Sequence, residues 1–304
     1  MMWRSILTDL SVIIPSRNEE FTQKTIESIF ENTEADTEII VILDGWWPEP
    51  PVIDHPKVTV VHHTKSIGQR AATNEGVRIS QAKYVMKLDA HCTVGKGFDR
   101  ILIEDCRRRN WTLVPMMYNL HAFDWQCKIC NKRYYQADRP ETCCGKEDFE
   151  KVMVWKPRRK RKTIAWRFDK DLNFGYWHNY SKREEAKGKV IETMSFIGAC
   201  WFMHRSQYWN LDGLDEGHGS WGNVGTEVSC KTWLSGGRLL TDKNTWFAHM
   251  FRTNKCFGFP YKLSYKAQQR AKEYSRDIWL NNKWPKQKYK LNWLVDKFKP
   301  VPGW

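Results

Sequence analysis

Residues 83–91 read KYVMKLDAH, an apolar run that ends in two polar side chains. The run Lys83–Leu88 predicts a buried β-strand. Helical spacing over Thr22–Asn32 and Gly68–Ser80 separates it from earlier apolar runs, and alternating strands and helices predict a doubly wound α/β fold with a parallel sheet. The earlier predicted strands are Leu10–Pro15 (LSVIIP), Glu38–Leu43 (EIIVIL) and Lys57–His62 (KVTVVH).

The overall composition restricts the class of protein. The chain has 304 residues, with 49 Lys and Arg against 35 Asp and Glu, which gives a net charge of +14. This charge suggests an anionic partner, which could be a nucleotide, a nucleic acid or a lipid surface. No apolar run reaches the roughly 18 residues of a membrane span, and residues 1–10 lack the apolar core of a signal peptide. The nine cysteines are an odd number, which without a signal peptide indicates a reducing compartment. We therefore expect a cytoplasmic protein without integral membrane association.

Polar residues follow two of the predicted strands. Asp44 follows the second strand, and Asp89-Ala90-His91 follows the fourth. Because ligands bind at the carboxyl ends of the strands in such sheets, both segments are candidates for a binding site. Asp89 and His91 could share a divalent cation, Mn²⁺ or Mg²⁺, with diphosphate oxygens as further ligands. In the structural alternative, Asp89 caps a turn and His91 is solvated.

The same segments resemble a known family. Leu88–Cys92 (LDAHC) resembles the metal-binding motif of the polypeptide N-acetylgalactosaminyltransferases, which have Asp-x-His where most related enzymes have Asp-x-Asp. The resemblance implies a GT-A (nucleotide-diphospho-sugar transferase) fold over residues 1–252 and a metal-dependent transferase that uses a UDP-sugar. Further matching segments, in chain order, are Ser11–Glu19, Val41–Gly45, Gly68 with Asn74, Phe168-Asp169, Gly198-Ala199, Trp221-Gly222 with Glu227, and Ala248–Arg252.

The resemblance also implies the site residues. The metal ligands would be Asp89, His91 and His249. Asp44 would bind the uridine of the donor. The other nucleotide-sugar-binding candidates, besides Asp89 itself, are Gly68, Arg70, Asn74 and Arg252. The catalytic candidates are Asp89, His91, Trp221 and Glu227. For Glu227 the sequence leaves three roles open, because this carboxylate could orient the sugar, orient the catalytic loop or make a structural hydrogen bond.

One departure from the family bears on the stereochemistry. The Trp-Gly-Gly-Glu-Asn segment of the family reads WGNVG here, over Trp221–Gly225. Val224 replaces the carboxylate that touches the donor sugar, so the resemblance does not fix which sugar is transferred. Gly225 stands where inverting relatives have an aspartate that acts as the catalytic base. Because an inverting displacement needs such a base, its absence predicts transfer with retention of configuration.

Residues 121–162 interrupt the alternating pattern, which predicts an inserted, Cys-rich and basic segment. Its pattern Cys127-x2-Cys130-x12-Cys143-Cys144 resembles a zinc ribbon and predicts a structural Zn²⁺. The second pair of cysteines is adjacent, so two ligand sets are open. Either all four thiolates bind the zinc, or one of the adjacent pair binds and a residue such as His121 is the fourth ligand. Free thiols in a loop are the alternative to a zinc site.

A basic run at the end of the insertion suggests an acceptor. Lys156–Lys162 (KPRRKRK) has six basic residues in seven, and a basic, aromatic C-terminal extension covers 253–304. Together they favour a phosphate-binding platform, and hence DNA as the acceptor, which would be a hydroxymethylated pyrimidine in the manner of phage DNA-modifying transferases acting in the host cytoplasm. The candidate acceptor contacts are Arg158, Arg159, Lys160, Arg161 and Trp166.

Three other functions are open, together with a solvated charged face as the structural explanation of the basic run. The acceptor could be Ser or Thr of a protein, or a glycan or lipid-linked sugar at an anionic membrane surface. The chain could also be a catalytically inactive protein that binds nucleic acid. Metal-dependent hydrolysis of a UDP-sugar would exclude the last of these.

Overall fold

The computed structural model describes residues 8–252, 258–262 and 264–304. The strands in these ranges are β1 Leu10–Ser16, β2 Thr37–Asp44, β3 Val58–His63, β4 Tyr84–Leu88, β5 Cys92–Val94, β6 Trp111–Cys127, β7 Arg133–Tyr135, β8 Phe149–Thr163, β9 Trp166–Phe168, β10 Phe174–Tyr176, β11 Val190–Glu192, β12 Cys200–His204 and β13 Arg238–His249. The α-helices are α1 Thr22–Asn32, α2 Gln69–Ile79, α3 Phe98–Asp105, α4 Arg205–Asn210, α5 Val224–Leu234, α6 Tyr265–Leu280 and α7 Leu291–Phe298.

The first half of the main sheet is parallel, as the sequence predicts. Strands β3, β2, β1 and β4 lie side by side in that order, and each pairs with its neighbour in parallel. Strands β1, β2 and β4 are buried almost throughout, which explains their uninterrupted apolar sequences. Their carboxyl ends share one edge of the sheet, so Asp44 and the turn after β4 lie at the same edge.

The second half of the sheet is mixed, which the sequence pattern did not predict. Strand β12 runs antiparallel to β4 and β6, and β13 then runs parallel to β6. The last residue of β13, His249, is paired with Cys92 of β5. This pairing brings the end of β13 next to the turn that carries Asp89 and His91, although these segments are far apart in the sequence.

The segment predicted as an insertion is a long hairpin that continues the main sheet. Strands β6 and β8 pair antiparallel, and the short strand β7 pairs with the far end of β6. The basic run therefore lies in a strand and not in a loop. Within the described residues β8 pairs with β6 alone, so it is an edge strand. An edge strand tolerates charged side chains, and it also tolerates Pro157, whose missing backbone N–H would break hydrogen bonding to a second neighbouring strand.

The C-terminal residues pack on the same hydrophobic core as the rest of the chain. Helix α6 begins after Ser264, whose hydroxyl accepts a hydrogen bond from the Ala267 amide at 3.3 Å. Trp279, Leu294 and Phe298 are buried members of the main core. Residues 253–257, with which the predicted extension begins, lie outside the described residues. None of the helices described here combines the length and the apolar character needed to cross a bilayer.

Candidate metal and donor site

Three side chains from two strand ends meet at the carboxyl edge of the sheet. The Nε2 atoms of His91 and His249 are 3.1 Å apart, and His249 Nε2 is 3.2 Å from Asp89 Oδ2. One ligand atom from each of the three residues lies within 4.8 Å of the others. The structure thus brings together the three residues that the resemblance assigned to manganese.

The donor set and its spacing fit a divalent cation. In an octahedron with metal–ligand distances of about 2.1 Å, adjacent ligands lie roughly 3.0 Å apart. The separations of 3.1 and 3.2 Å are close to that value. One carboxylate and two imidazoles also match the mixed oxygen and nitrogen ligation that Mn²⁺ accepts. These three residues could therefore hold one face of a cation, with the remaining positions open to a substrate.

The charge state of the cluster suits metal binding. Burial raises the pKa of the Asp89 carboxyl, but the adjacent Lys87 ammonium and His249 outweigh burial, so that the pKa lies below its usual range. Burial lowers the pKa of His249 to about 4, which keeps the imidazole neutral. An ionised carboxylate and a neutral imidazole are the forms that bind metal.

Lys87 is a site residue that our sequence analysis missed. Its buried ammonium donates hydrogen bonds to Asp89 Oδ1 and to the carbonyl of Gly198, the latter at 3.0 Å. Lysine is almost never fully buried unless it is paired. A lysine in the otherwise apolar strand β4 was the signal that could have identified it.

Glu19 orients one of the clustered histidines, His91. Its carboxylate accepts a hydrogen bond from His91 Nδ1 at 2.9 Å, which leaves Nε2 of that ring facing the cluster, and it pairs with the Arg252 guanidinium at 2.9 Å. Burial raises the pKa of Glu19, but His91 and Arg252 outweigh it and hold the pKa below its usual value. Arg252, predicted to bind the nucleotide-sugar, therefore binds a carboxylate in this structure.

The Glu19→Gln variant should weaken the binding of Mn²⁺ by about 10- to 100-fold, because partners that orient a metal-ligating histidine typically contribute this much. The matched control is Glu20→Gln, since Glu20 pairs instead with Lys151 at 2.5 Å. Titration of free Mn²⁺ by electron paramagnetic resonance would measure both affinities. Equal affinities in the two variants would show that Glu19 does not position His91.

A cavity of about 760 Å³ opens beside the cluster. Its wall includes most of the predicted donor-site residues, and Trp221, Val224 and Gly225 form another part of the wall. The Asp44 carboxylate accepts hydrogen bonds from the Ser66 hydroxyl at 2.7 Å and from the Ile67 amide at 2.5 Å. The predicted site residues that line the cavity are Asp44, Gly68, Asp89, His91, Trp221, His249 and Arg252.

Glu227 does not line the cavity. Of the roles that the sequence left open, the structure supports orientation of the loop. The carboxylate is fully buried and pairs with Arg70 at 3.0 Å and with Lys231 at 2.9 Å. Burial raises its pKa, but Lys231 and Arg70 outweigh burial and lower the pKa to about 2. Arg70 also donates to the carbonyls of Gly219 and Gly222, so the pair fixes the loop that carries Trp221. The prediction that Glu227 is a catalytic residue is therefore wrong.

Arg70 and Asn74 do not line the cavity either, so the prediction that they contact the donor is wrong. Arg70 is buried against Glu227. The Asn74 side-chain amide donates to the Leu214 carbonyl at 2.9 Å and accepts from the Tyr208 hydroxyl at 2.5 Å. Both residues lie on α2 and hold the segment before α5, because their polar groups turn into the protein.

The predicted acceptor residues are only partly accessible. Trp166 is fully buried in the main core, so its assignment to acceptor binding is wrong. Residues 158–161 are exposed on β8 and are not among the residues that line the cavity. The guanidinium of Arg158 lies 4.8 Å from the Tyr135 ring, and that of Arg159 lies 5.2 Å from the Trp246 ring.

Comparison with known proteins finds a family that part of this chain resembles. The family described as Glycosyl transferase family 2 matches residues 11–110, which contain β1 through α3 and two of the three clustered ligands. This part of the chain is therefore similar to that family. The remaining ligand, His249, lies outside the matched region.

Longer matches extend over most of the chain. It is 22% identical over 271 residues to a putative polypeptide N-acetylgalactosaminyltransferase 13 of Drosophila melanogaster, which covers 83% of this chain and 43% of the relative. It is 23% identical over 289 residues to polypeptide N-acetylgalactosaminyltransferase 6 of Bos taurus, covering 89% and 42%. The chain thus spans less than half the length of these curated relatives.

A solved structure shows the same fold. The crystal structure of GalNAc-T7 with UDP, GalNAc and Mn²⁺ matches 90% of this chain and 48% of that chain, with a TM-score of 0.64 and 17% identity. The predicted GT-A fold is thereby confirmed.

Proposed function

We propose that this chain is a metal-dependent glycosyltransferase that moves a sugar from a UDP-sugar to a hydroxyl group of a polypeptide. The observation that carries the proposal is the cluster of Asp89, His91 and His249 beside a cavity of about 760 Å³. The similarity of residues 11–110 to Glycosyl transferase family 2, and the UDP and Mn²⁺ of the structural neighbour, support this reading of the cluster.

In this proposal each part of the cavity has a task. Asp89, His91 and His249 would hold the cation, which supplies Lewis-acid stabilisation of the diphosphate leaving group. Glu19 keeps His91 in the tautomer whose Nε2 lone pair faces the cluster. Asp44 orders the loop before α2 at the nucleotide end of the cavity through its bonds to residues 66–68.

Transfer with retention remains our prediction, and the cavity wall supports it. The carboxylates that line the cavity within the described residues are Glu19, Asp44 and Asp89, and each is engaged by other protein groups. The part of the wall near Val224 and Gly225 offers no carboxylate of its own. With no available base there, the acceptor proton would pass to the leaving phosphate on the same face of the sugar.

For the acceptor, the comparisons support the protein alternative over DNA. The names of both curated relatives specify a polypeptide as the acceptor, and neither name mentions DNA. DNA was our first expectation from the charge, but none of the exposed basic residues 158–161 lines the cavity, and the comparisons offer no support for a DNA acceptor. Localisation in the cytoplasm stays a prediction.

The test is a mass-spectrometric assay with Mn²⁺, a panel of UDP-sugars, and two acceptors offered separately. These are Ser/Thr peptides and hydroxymethylpyrimidine DNA. We expect a peptide mass increase of one sugar with at least one donor, loss of product with a chelator, and an α-linkage by NMR. Modification of the DNA alone would overturn the polypeptide acceptor, and a β-linkage from an α-linked donor would overturn retention.

A further inference from the structure

The tip of the β6–β8 hairpin has almost no hydrophobic core of its own. Cys127, Cys143 and Phe149 form a small buried cluster that is separate from the main core, with Trp125 and Tyr134 packed against it. The chain between Cys127 and Phe149 is otherwise mostly exposed. A segment with so few buried residues needs a cross-link or a metal to hold one structure.

Four sulfur atoms converge at this tip. Cys130 Sγ is 3.5 Å from Cys143 Sγ, which is 3.9 Å from Cys144 Sγ, and all four thiols lie within 4.8 Å of one another. A tetrahedral zinc with Zn–S distances of about 2.3 Å has sulfur–sulfur edges of roughly 3.8 Å. A disulfide would require about 2.05 Å. The spacing fits a tetrathiolate and not a pair of disulfides.

The backbone explains how adjacent cysteines can share one ion. Cys144 and Gly145 both have a positive φ, of 53° and 71°, and the main chains of Cys143 and Lys146 exchange hydrogen bonds of 2.8 and 2.9 Å. This tight turn lets both thiols face one point. On the other side, the Asn131 amide donates to the Cys127 carbonyl at 2.9 Å, which folds the first pair back on itself.

His121, the alternative fourth zinc ligand, already has other partners. His121 Nε2 lies 2.6 Å from Asp124 Oδ1, and the ring rests against Tyr135 with centroids 4.6 Å apart. We propose that Cys127, Cys130, Cys143 and Cys144 together bind one structural Zn²⁺, which fixes the hairpin tip. Binding releases the thiol protons to solvent. The Lys132 ammonium interacts electrostatically with Cys130 and Cys143 and would offset part of the negative charge of a zinc tetrathiolate.

The base of the hairpin is held independently of the tip. The Phe123 ring stacks on Phe21 at 5.9 Å, and Trp155 packs on Phe21 at 5.7 Å. Phe21 and Phe123 belong to the main core. The rest of the protein is therefore expected to fold without the zinc, which makes the site testable with variants of its exposed ligand.

The experiment is metal analysis of the full chain purified without chelator. We expect about one zinc per chain, lost in Cys144→Ser and retained in the matched control Cys106→Ser, since Cys106 lies outside the cluster. His249→Ala should also retain the zinc, which separates this site from the Asp89, His91 and His249 cluster. Replacing zinc with Co²⁺ should give sulfur-to-cobalt charge-transfer absorption that Cys144→Ser lacks.

A second measurement follows the hairpin itself. Chelation should open the exposed sites after Lys128, Lys132 and Lys146 to trypsin while the rest of the chain stays intact. Zinc that disappears in His249→Ala but remains in Cys144→Ser would overturn the proposal. So would a metal-free protein whose intact mass shows either four reduced thiols or a disulfide at these positions.

Discussion

Asp89→Asn should lower UDP release from the UDP-sugar by about a thousand-fold in the presence of Mn²⁺. Asp89 is the one carboxylate in the cluster with His91 and His249, and the amide that replaces it binds a divalent cation poorly. A bound cation is worth several kcal/mol of transition-state stabilisation, and about 4 kcal/mol corresponds to roughly a thousand-fold in rate. Initial rates of UDP release would measure the loss of activity, and a Mn²⁺ titration would measure the loss of cation affinity.

The control for this variant is Asp54→Asn, which removes the same charge at an exposed position. We expect it to leave both the rate and the Mn²⁺ affinity unchanged. Asp89 also pairs with buried Lys87, so thermal unfolding of the variant should be recorded alongside. An Asp89→Asn protein that is folded and binds Mn²⁺ as tightly as the unmodified chain would contradict the assigned ligand set.

Glu227→Gln should lower the stability of the protein by about 3–5 kcal/mol, the usual cost of leaving buried charges without their partner. Arg70 and Lys231 are both buried, and Glu227 is their shared counter-charge. At roughly 2–3 °C per kcal/mol for a chain of this size, Tm should fall by about 6–15 °C. Thermal unfolding followed by circular dichroism would measure the change.

The matched control is Glu184→Gln, which removes the charge of an exposed carboxylate that pairs with Lys187 at 2.6 Å. Exposed pairs of this kind contribute little, so no measurable change in Tm is expected. Kinetics below the unfolding transition separate the two roles of Glu227. A variant with normal Tm and a severe loss of kcat would mean that Glu227 acts in the reaction and does not anchor the loop.

Much of the first half of the fold was predictable. Helix α1 has the bounds expected from its spacing, Thr22–Asn32, because Ile26 and Ile29 recur on the one face that is buried. Strands β1, β2 and β4 were evident because helices cover both sides of a parallel sheet and keep its strands apolar. Strand β8 was not predicted, because it lies at an edge where charged residues remain in solvent.

The candidate site was predictable where a motif is local or where family resemblance supplied the distant partner. Asp89 and His91 stand two residues apart in a turn, and the cysteine pairs are three residues apart (Cys127 and Cys130) and adjacent (Cys143 and Cys144). Trp166 was assigned wrongly because its neighbours Arg161 and Lys162 are charged and exposed, whereas its own ring points into the core. Sequence proximity to a basic run carried no information about that direction.

By itself the sequence determined the strands that precede Asp44 and Asp89, the turn that joins Asp89 to His91, and the spacing of the four thiols. These features depend on residues within a few positions of one another. Only the tertiary structure decided that His249 meets His91 across 158 positions and that Glu227 binds Arg70 across 157. Such pairs form because the mixed sheet and its helices pack as a whole, and no local period records which distant segments will become neighbours.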